Sequence, residues 1–182
     1  MSEVETGKNY AVVITTNAGL WRYQIGDTIR FTSTNPFRFK ITGRTKHHIN
    51  VFGEELVIEN AETALADVSK AHQTSVIDFT AGPVFMNGKK KGKHEWIVEF
   101  KSPPKDIDQF MNDLDKRLQE LNSDYEAKRY KNMTLDSLEI HIGRENLFHD
   151  WLKDRNKLGG QNKIPRLSNS REFVDILLEM NR

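Results

Sequence analysis

The period of the hydrophobic pattern changes once along this chain, close to Arg44, and that change limits the folds open to it. Before Arg44 the pattern is that of short strands and turns. Tyr10 to Thr16 is β-branched and nearly continuous in apolar character, which suits a strand covered on both faces. Asn17-Ala18-Gly19 breaks it, and a second short strand is predicted from Leu20 to Tyr23, ending at Gly26-Asp27. Thr28 to Thr34 sets Ile29 and Phe31 against Arg30 and Thr32. Asn35-Pro36 marks a turn, and Phe37 to Ile41 alternates again before Gly43-Arg44. Four short strands in forty-four residues make a β-rich unit too small for a core of its own.

Beyond Arg44 the helical period takes over. Ile58, Ala61, Leu65 and Val68 recur at spacings of three and four, so Leu56 to Ala71 reads as an amphipathic helix. Strands are predicted at Ser75 to Phe79 and Glu95 to Lys101, the second alternating through Trp96, Val98 and Phe100. Pro103-Pro104 stops that strand before a helix whose stripe is Ile107, Phe110, Met111, Leu114, Leu118 and Leu121. A strand at Leu138 to Ile142 and a helix from Asn146 to Arg155 follow. Lys157 to Arg166 holds two glycines and a proline within seven residues, which excludes regular structure. The last helix is expected to open at Asn169, as an N-cap with Glu172 three residues later. The fold class is therefore α+β: a short β-rich stretch over residues 1–44, then a small mixed sheet packed with helices over residues 45–182.

Composition closes several routes. The chain has 182 residues, no cysteine and a formal net charge of +1. Disulfides and thiolate metal sites are excluded, and there is no overall field with which to hold a nucleic acid or an anionic membrane. No apolar run approaches the roughly 20 residues that span a bilayer, and no signal-like segment opens the chain. A soluble, cytoplasmic protein is expected.

Few residues could carry chemistry. Lys89 to Lys93, flanked by glycines between two strands, reads as a solvated hairpin tip, with no interleaved aromatic residue to stack a base. His47 and His48 are adjacent and would point to opposite faces of an extended segment; His141 and His149 fall in different elements, and no metal site is expected. Gly159-Gly160 followed by Lys163 is not a Walker loop, because Asn162 and Ile164 stand where glycine and Ser or Thr are needed. It is either a plain connection or a lysine on a glycine-hinged loop. Asp27 reads as a turn carboxylate, or as one whose acceptor-only oxygens could take the two vicinal hydroxyls of a ribose.

In order, these pieces form a pattern. Tyr23-Gln24-Ile25-Gly26-Asp27 is similar to the Tyr-Arg-x-Gly-Asp motif of adenylate-forming enzymes, and Gly43-Arg44-Thr45-Lys46 resembles their hinge motif. More narrowly, Thr15 to Asp27, Phe37-Arg38-Phe39, Gly159-Gly160 and Lys163-Ile164-Pro165-Arg166 resemble the Gretchen Hagen 3 auxin-responsive family of acyl acid amido synthetases, with its bacterial branch the nearer likeness. The resemblance covers essentially the whole chain, but only the C-terminal part of the family's enzyme.

The resemblance implies a remnant of the large AMP-binding domain over residues 1–44 and the C-terminal lid domain over residues 45–182. Such enzymes use ATP and Mg²⁺ to activate a carboxylic acid as an acyl-adenylate, then join it to an amino acid. Tyr23 and Asp27 would bind the nucleotide, with Asp27 on the ribose hydroxyls; Arg44 would fix the nucleotide at the domain junction and Lys46 would be the hinge. Lys163 would be the catalytic lysine of the first half-reaction, with Lys157 the first alternative. Gln24 departs from the family's arginine, so no contact of that arginine is carried over. The phosphate loop and acyl pocket would lie on the missing N-terminal AMP-binding domain, leaving the isolated chain inactive. Two other readings are a non-catalytic binding module with the lid fold and a piece of an acyl-CoA ligase relative.

Overall fold

In a computed structural model the structure describes residues 3–44, 48–88, 90–132, 134–159 and 163–182. The chain divides into two compact units, Met1–His47 and His48–Arg182.

The first unit is an antiparallel sheet of β1 (Asn9–Ile14), β2 (Tyr23–Thr34) and β3 (Phe37–Arg44), in that spatial order. Among the described residues three strands form where four are expected. The predicted strand at Leu20 to Tyr23 is absent, and β2 instead runs without a break through Gly26 and Asp27. The chain does so because glycine accepts the φ of 86° at Gly26, a conformation that would strain any side chain. A register shift between Thr28 and Ile29 absorbs the distortion as a bulge. The other departure is β1, whose residues alternate between exposed and half-buried rather than being covered on both faces. Phe31 anchors the sheet. Its ring meets Tyr10, Phe37 and Phe39 edge-on at centroid distances of 5.8, 5.9 and 5.8 Å. Trp21 is nevertheless 79% exposed and Ile41 68% exposed, as expected of a unit too small to bury its own apolar side chains.

The second unit opens with a two-residue ladder between β4 (His48–Ile49) and β5 (Leu56–Val57). Then come α1 (Ile58–Ala71), β6 (Ser75–Val84), β7 (Lys93–Ser102), α2 (Ile107–Leu121), α3 (Ser123–Arg129), a 3₁₀ turn, β8 (Glu139–Gly143), α4 (Leu147–Asp154) and α5 (Glu172–Met180). The sheet order is β6-β7-β8, antiparallel in the first pair and parallel in the second, a mixed sheet as expected. Both faces are covered. Trp96 and Val98 of β7 join Leu65, Phe79, Phe110 and Leu114 on one side, while Ile97 joins Leu147, Trp151, Ile164 and Leu177 on the other. Helices α1 and α2 thus cover one face and α4 and α5 the opposite one, the layered solution for a sheet with two apolar faces. Residues Asn87 to Lys90 close the β6–β7 hairpin through paired backbone bonds of 3.2 and 3.0 Å. Lys89 lies outside the described residues.

Helix α3 carries no apolar stripe, so periodicity does not announce it. Asn122 makes it: its Oδ1 accepts the Tyr125 N–H at 2.8 Å while its Nδ2 donates to the Glu55 carbonyl at 3.1 Å. Tyr125 and Arg129 then converge on Asp115 of α2. The Tyr125 hydroxyl donates to Asp115 at 2.7 Å, and Arg129 donates through Nε and Nη2 at 2.9 and 2.8 Å. Arg129 also donates to the Leu135 carbonyl at 2.8 Å. Burial and the neighbouring Asp115 push the Tyr125 hydroxyl well above its ordinary pKa, so it stays a donor.

All three groups are buried, so the network tolerates loss of a partner badly. Asp115→Ala leaves the guanidinium of Arg129 without its counter-charge and should destabilise the chain by about 3–5 kcal/mol. Urea unfolding measures this; a loss within about 0.5 kcal/mol would show the network to be dispensable.

Candidate functional site

Tyr23 and Asp27 lie on β2 of the first unit. Tyr23 pairs with Ile14 of β1 and is half exposed, and Asp27 is partly buried in mid-strand rather than at a strand end. In the β2–β3 register Asp27 stands directly opposite Arg44. The loop between β1 and β2 is knit by its own backbone, Thr16 N–H to the Leu20 carbonyl at 2.9 Å, and by Arg22 N–H to Thr15 Oγ1 at 3.1 Å. Residues read as separate motifs in sequence are therefore cross-strand neighbours. Lys46, the expected hinge, lies outside the described residues with its neighbours 45 and 47.

Lys163 belongs to the second unit. It is exposed, and the next residue, Ile164, is 2% exposed and packed in the core formed by α4 and α5. From there the chain is pinned to the outer edge of β6. Thr80 Oγ1 donates to the Pro165 carbonyl at 2.7 Å, Ala81 N–H to the Arg166 carbonyl at 2.8 Å, and Ser168 N–H to the Ala81 carbonyl at 3.1 Å. The last two make a parallel bridge between Ala81 and Leu167. Arg166 sits over the Phe79 ring at 5.2 Å and is paired with Asp78 at 3.3 Å and with Glu62. Lys163 thus heads a segment held by strand bonds, an ion-pair fork and a buried isoleucine. Lys157 is exposed as well, but its N–H closes the end of α4 on the Leu152 carbonyl at 2.9 Å. Gly159, with φ of 92°, turns the chain after it. Gly160 lies outside the described residues.

Asn169 does not cap α5. That helix starts at Glu172 after Arg171, which makes no side-chain cap bond. The Asn169 amide instead bonds the backbone of the first residues of the second unit, accepting from Asn50 N–H at 2.8 Å and donating to the His48 carbonyl at 3.2 Å. No local pattern reveals this, because the partners lie about 120 positions away.

The loop between β4 and β5 is held from inside by Glu54. Its Oε1 meets His94 Nε2 of β7 at 2.8 Å and its Oε2 accepts Phe52 N–H at 2.7 Å, with both side chains of the acid and the imidazole fully buried. Burial raises the Glu54 carboxyl, but the hydrogen bond and charge of His94, helped by backbone N–H groups, outweigh it and hold the group below its ordinary value. A further cluster joins Glu95, Glu139 and His141, whose candidate ligand atoms lie within 4.8 Å of one another. Strand pairing of β7 with β8 creates it. Each carboxylate already faces a cation: Arg171 sits 2.6 Å from Glu95, Lys93 pairs with Glu139, and His141 bonds Glu95 at 2.7 Å. It reads as a charge-balanced ladder, buried at Glu95 and half-buried at Glu139 and His141.

Comparison with known proteins gives a consistent result. Residues 59–172 match the GH3 family C-terminal domain, and residues 1–44 match the GH3 family central domain. The chain is 28% identical over 184 residues to indole-3-acetic acid-amido synthetase GH3.4 of Arabidopsis thaliana, covering 91% of this chain and 30% of that protein. It is 29% identical over 180 residues to jasmonoyl--L-amino acid synthetase GH3.5 of Oryza sativa subsp. japonica, covering 93% of this chain and 30% of that protein. A solved GH3.15 acyl acid amido synthetase shares its fold with a TM-score of 0.75 at 23% identity, over 98% of this chain and 34% of that one. The chain therefore spans about 30% of the length of the curated relatives it matches.

The Glu54–His94 pair gives this region a pH signature. Because the Glu54 carboxyl is depressed in the folded state, its contribution is present above the ordinary carboxylate pKa and is lost as pH falls through the depressed value. Glu54→Gln should lower the melting temperature near neutrality, and the gap to the parent chain should narrow between about pH 5 and about pH 2. A gap that stays constant over that range would remove the pair from the acid response.

Proposed function

The chain belongs to the GH3 family, and on that premise we propose that it is the lid-bearing part of an ATP-dependent acyl acid amido synthetase. In the first half-reaction a carboxylate oxygen attacks the α-phosphorus of ATP, the bond to pyrophosphate breaks, and an acyl-adenylate forms. In the second, an amino acid's amine attacks the acyl carbon, AMP leaves with the bonding pair, and the amine's proton is released. The chain's residues take four roles in this reading. Asp27 accepts from the ribose hydroxyls, a task for which an ionised carboxylate is suited because it offers acceptors only. Arg44 and Tyr23 help hold the nucleotide, and Lys46 is the pivot between the two units.

Lys163 supplies a cation when charge spreads over the α-phosphate and the departing pyrophosphate. A charge delivered to a site sealed from water stabilises the transition state far more than it would in solution. ATP brings the magnesium that neutralises its phosphates; we assign no residue of this chain to the metal. The phosphate loop, the acid and the amino acid are handled by the N-terminal portion that the relatives possess. The reaction is placed in the cytoplasm, where ATP is available.

The observation that supports this reading most is the lysine segment. Lys163 stands exposed at the head of a stretch whose next residues are fixed to β6, so a displacement of the whole unit carries with it the backbone from which the lysine projects. Lys157 is the alternative, and the two separate in one assay. In the protein that joins this chain to the N-terminal portion its relatives carry, Lys163→Ala should cut acyl-adenylate formation by about 10²–10³-fold while leaving the KM for ATP within about threefold. Lys157→Ala should leave the rate within about threefold. The reverse ranking would transfer the role to Lys157.

A further inference from the structure

Asn169 is the polar side chain whose placement the local sequence explains least. It is exposed, it abandons the helix cap its position offers, and it is spent on two backbone groups far away in sequence. Its geometry is that of a strand neighbour. Oδ1 takes the N–H of Asn50 and Nδ2 gives to the carbonyl of His48, so one amide satisfies both groups that an adjoining β-strand would have satisfied. His48 and Asn50 are the first residues of the second unit, immediately after the segment that holds Lys46.

The other end of this contact is equally fixed. Asn169 follows Ser168, whose N–H is bonded to Ala81, and Leu167, which is fully buried; six residues upstream is Lys163. Beyond Asn50 the chain is gripped again. The Asn50 side chain accepts Glu55 N–H at 3.3 Å, and Glu54 is locked to His94 of β7. A continuous set of bonds therefore runs from the first residues after the hinge segment, through the Asn169 amide, into the strand-pinned stretch that carries Lys163.

We propose that Asn169 is a positioning residue: its amide clamps the His48–Asn50 backbone to the Lys163 segment, so that rotation about the hinge delivers the lysine ammonium in one fixed place. The inference rests on the roles given above to Lys46 and Lys163. A clamp of this kind costs nothing at the moment of reaction, because the geometry is already set. Without it the two stretches keep their places in the core that Ile49 and Leu167 share but lose the bond that joins their backbones directly, and a displacement near 1 Å at a reacting centre costs about 10²-fold in rate.

Two measurements test it. In the 182-residue chain, Asn169→Ala should accelerate hydrogen exchange at the Asn50 amide about tenfold or more, while the Ala81 amide stays protected and reports an intact fold. An Asn50 amide that keeps its protection would overturn the clamp. In the joined enzyme, Asn169→Ala should lower kcat for adenylation about tenfold or more with the KM for ATP within about threefold. The same substitution made on top of Lys163→Ala should then have no further effect, because a residue acting through the lysine has nothing left to position. Full additivity of the two substitutions would make Asn169 a structural residue only. The double cycle also separates this idea from the proposed function: if Lys163→Ala leaves adenylation intact, the lysine's role fails, whereas a deficient Lys163→Ala beside an unimpaired Asn169→Ala rejects the positioning role alone.

Discussion

Two backbone hydrogen bonds at Ala81 hold the second unit in its working arrangement. By donating its N–H to the Arg166 carbonyl and accepting the Ser168 N–H at its own carbonyl, Ala81 turns an irregular stretch into a short parallel neighbour of β6. That docking does three things at once. It drives Leu167 into the core under α1 and α2 and Ile164 into the core under α4 and α5, so one short stretch fastens both faces of the sheet. It gives the β6 edge a partner at Ala81, where an open edge would invite pairing with another chain. It also sets the place from which Lys163 projects and the place where Asn169 begins.

The polar interior follows a similar economy. Buried charges here come in sets whose members come from different elements: Asp115 with Arg129 and Tyr125, Glu54 with His94, Glu99 with the N–H groups of Asn146 and Phe148 that open α4. Each set costs desolvation, and each resists being broken one partner at a time. What they contribute is definition. Three connections, the β4–β5 loop, the α2–α3 junction and the start of α4, are each tied to the sheet or to α2 by one such group.

Much of the fold was legible because burial writes periodicity into the chain. The six-residue stripe from Ile107 to Leu121 matches helix α2 end to end, and β6 and β7 extend past their alternating stretches, since Gly82 and Pro83 at one end and Lys93 and His94 at the other carry no alternation. The change of period near Arg44 fell close to where the two units part. Features set by single polar side chains were not legible. Asn122 creates α3 through a cap without a stripe, and Asn169 was expected to cap α5 because its true partners are remote in sequence. Gly26-Asp27 looked like a strand end because glycine followed by aspartate favours turns, yet a left-handed glycine inside a bulged strand serves as well. For the candidate site, the motifs nominate the residues, while the Asp27–Arg44 register and the pinning of the Lys163 segment follow from strand pairing that spacing alone does not specify.

Under the proposed function nucleotide and lysine chemistry would be divided, with this chain bringing the ribose acceptor and the cation and the N-terminal portion that its relatives carry bringing the phosphate loop and substrate pocket. The most direct measurement is acid-dependent exchange of labelled pyrophosphate into ATP, made with the 182-residue chain alone and with the same chain joined to the N-terminal portion its relatives carry. Exchange confined to the joined protein is the predicted result. Exchange catalysed by the chain alone, or none from a folded joined protein offered a range of carboxylic acids, would contradict it.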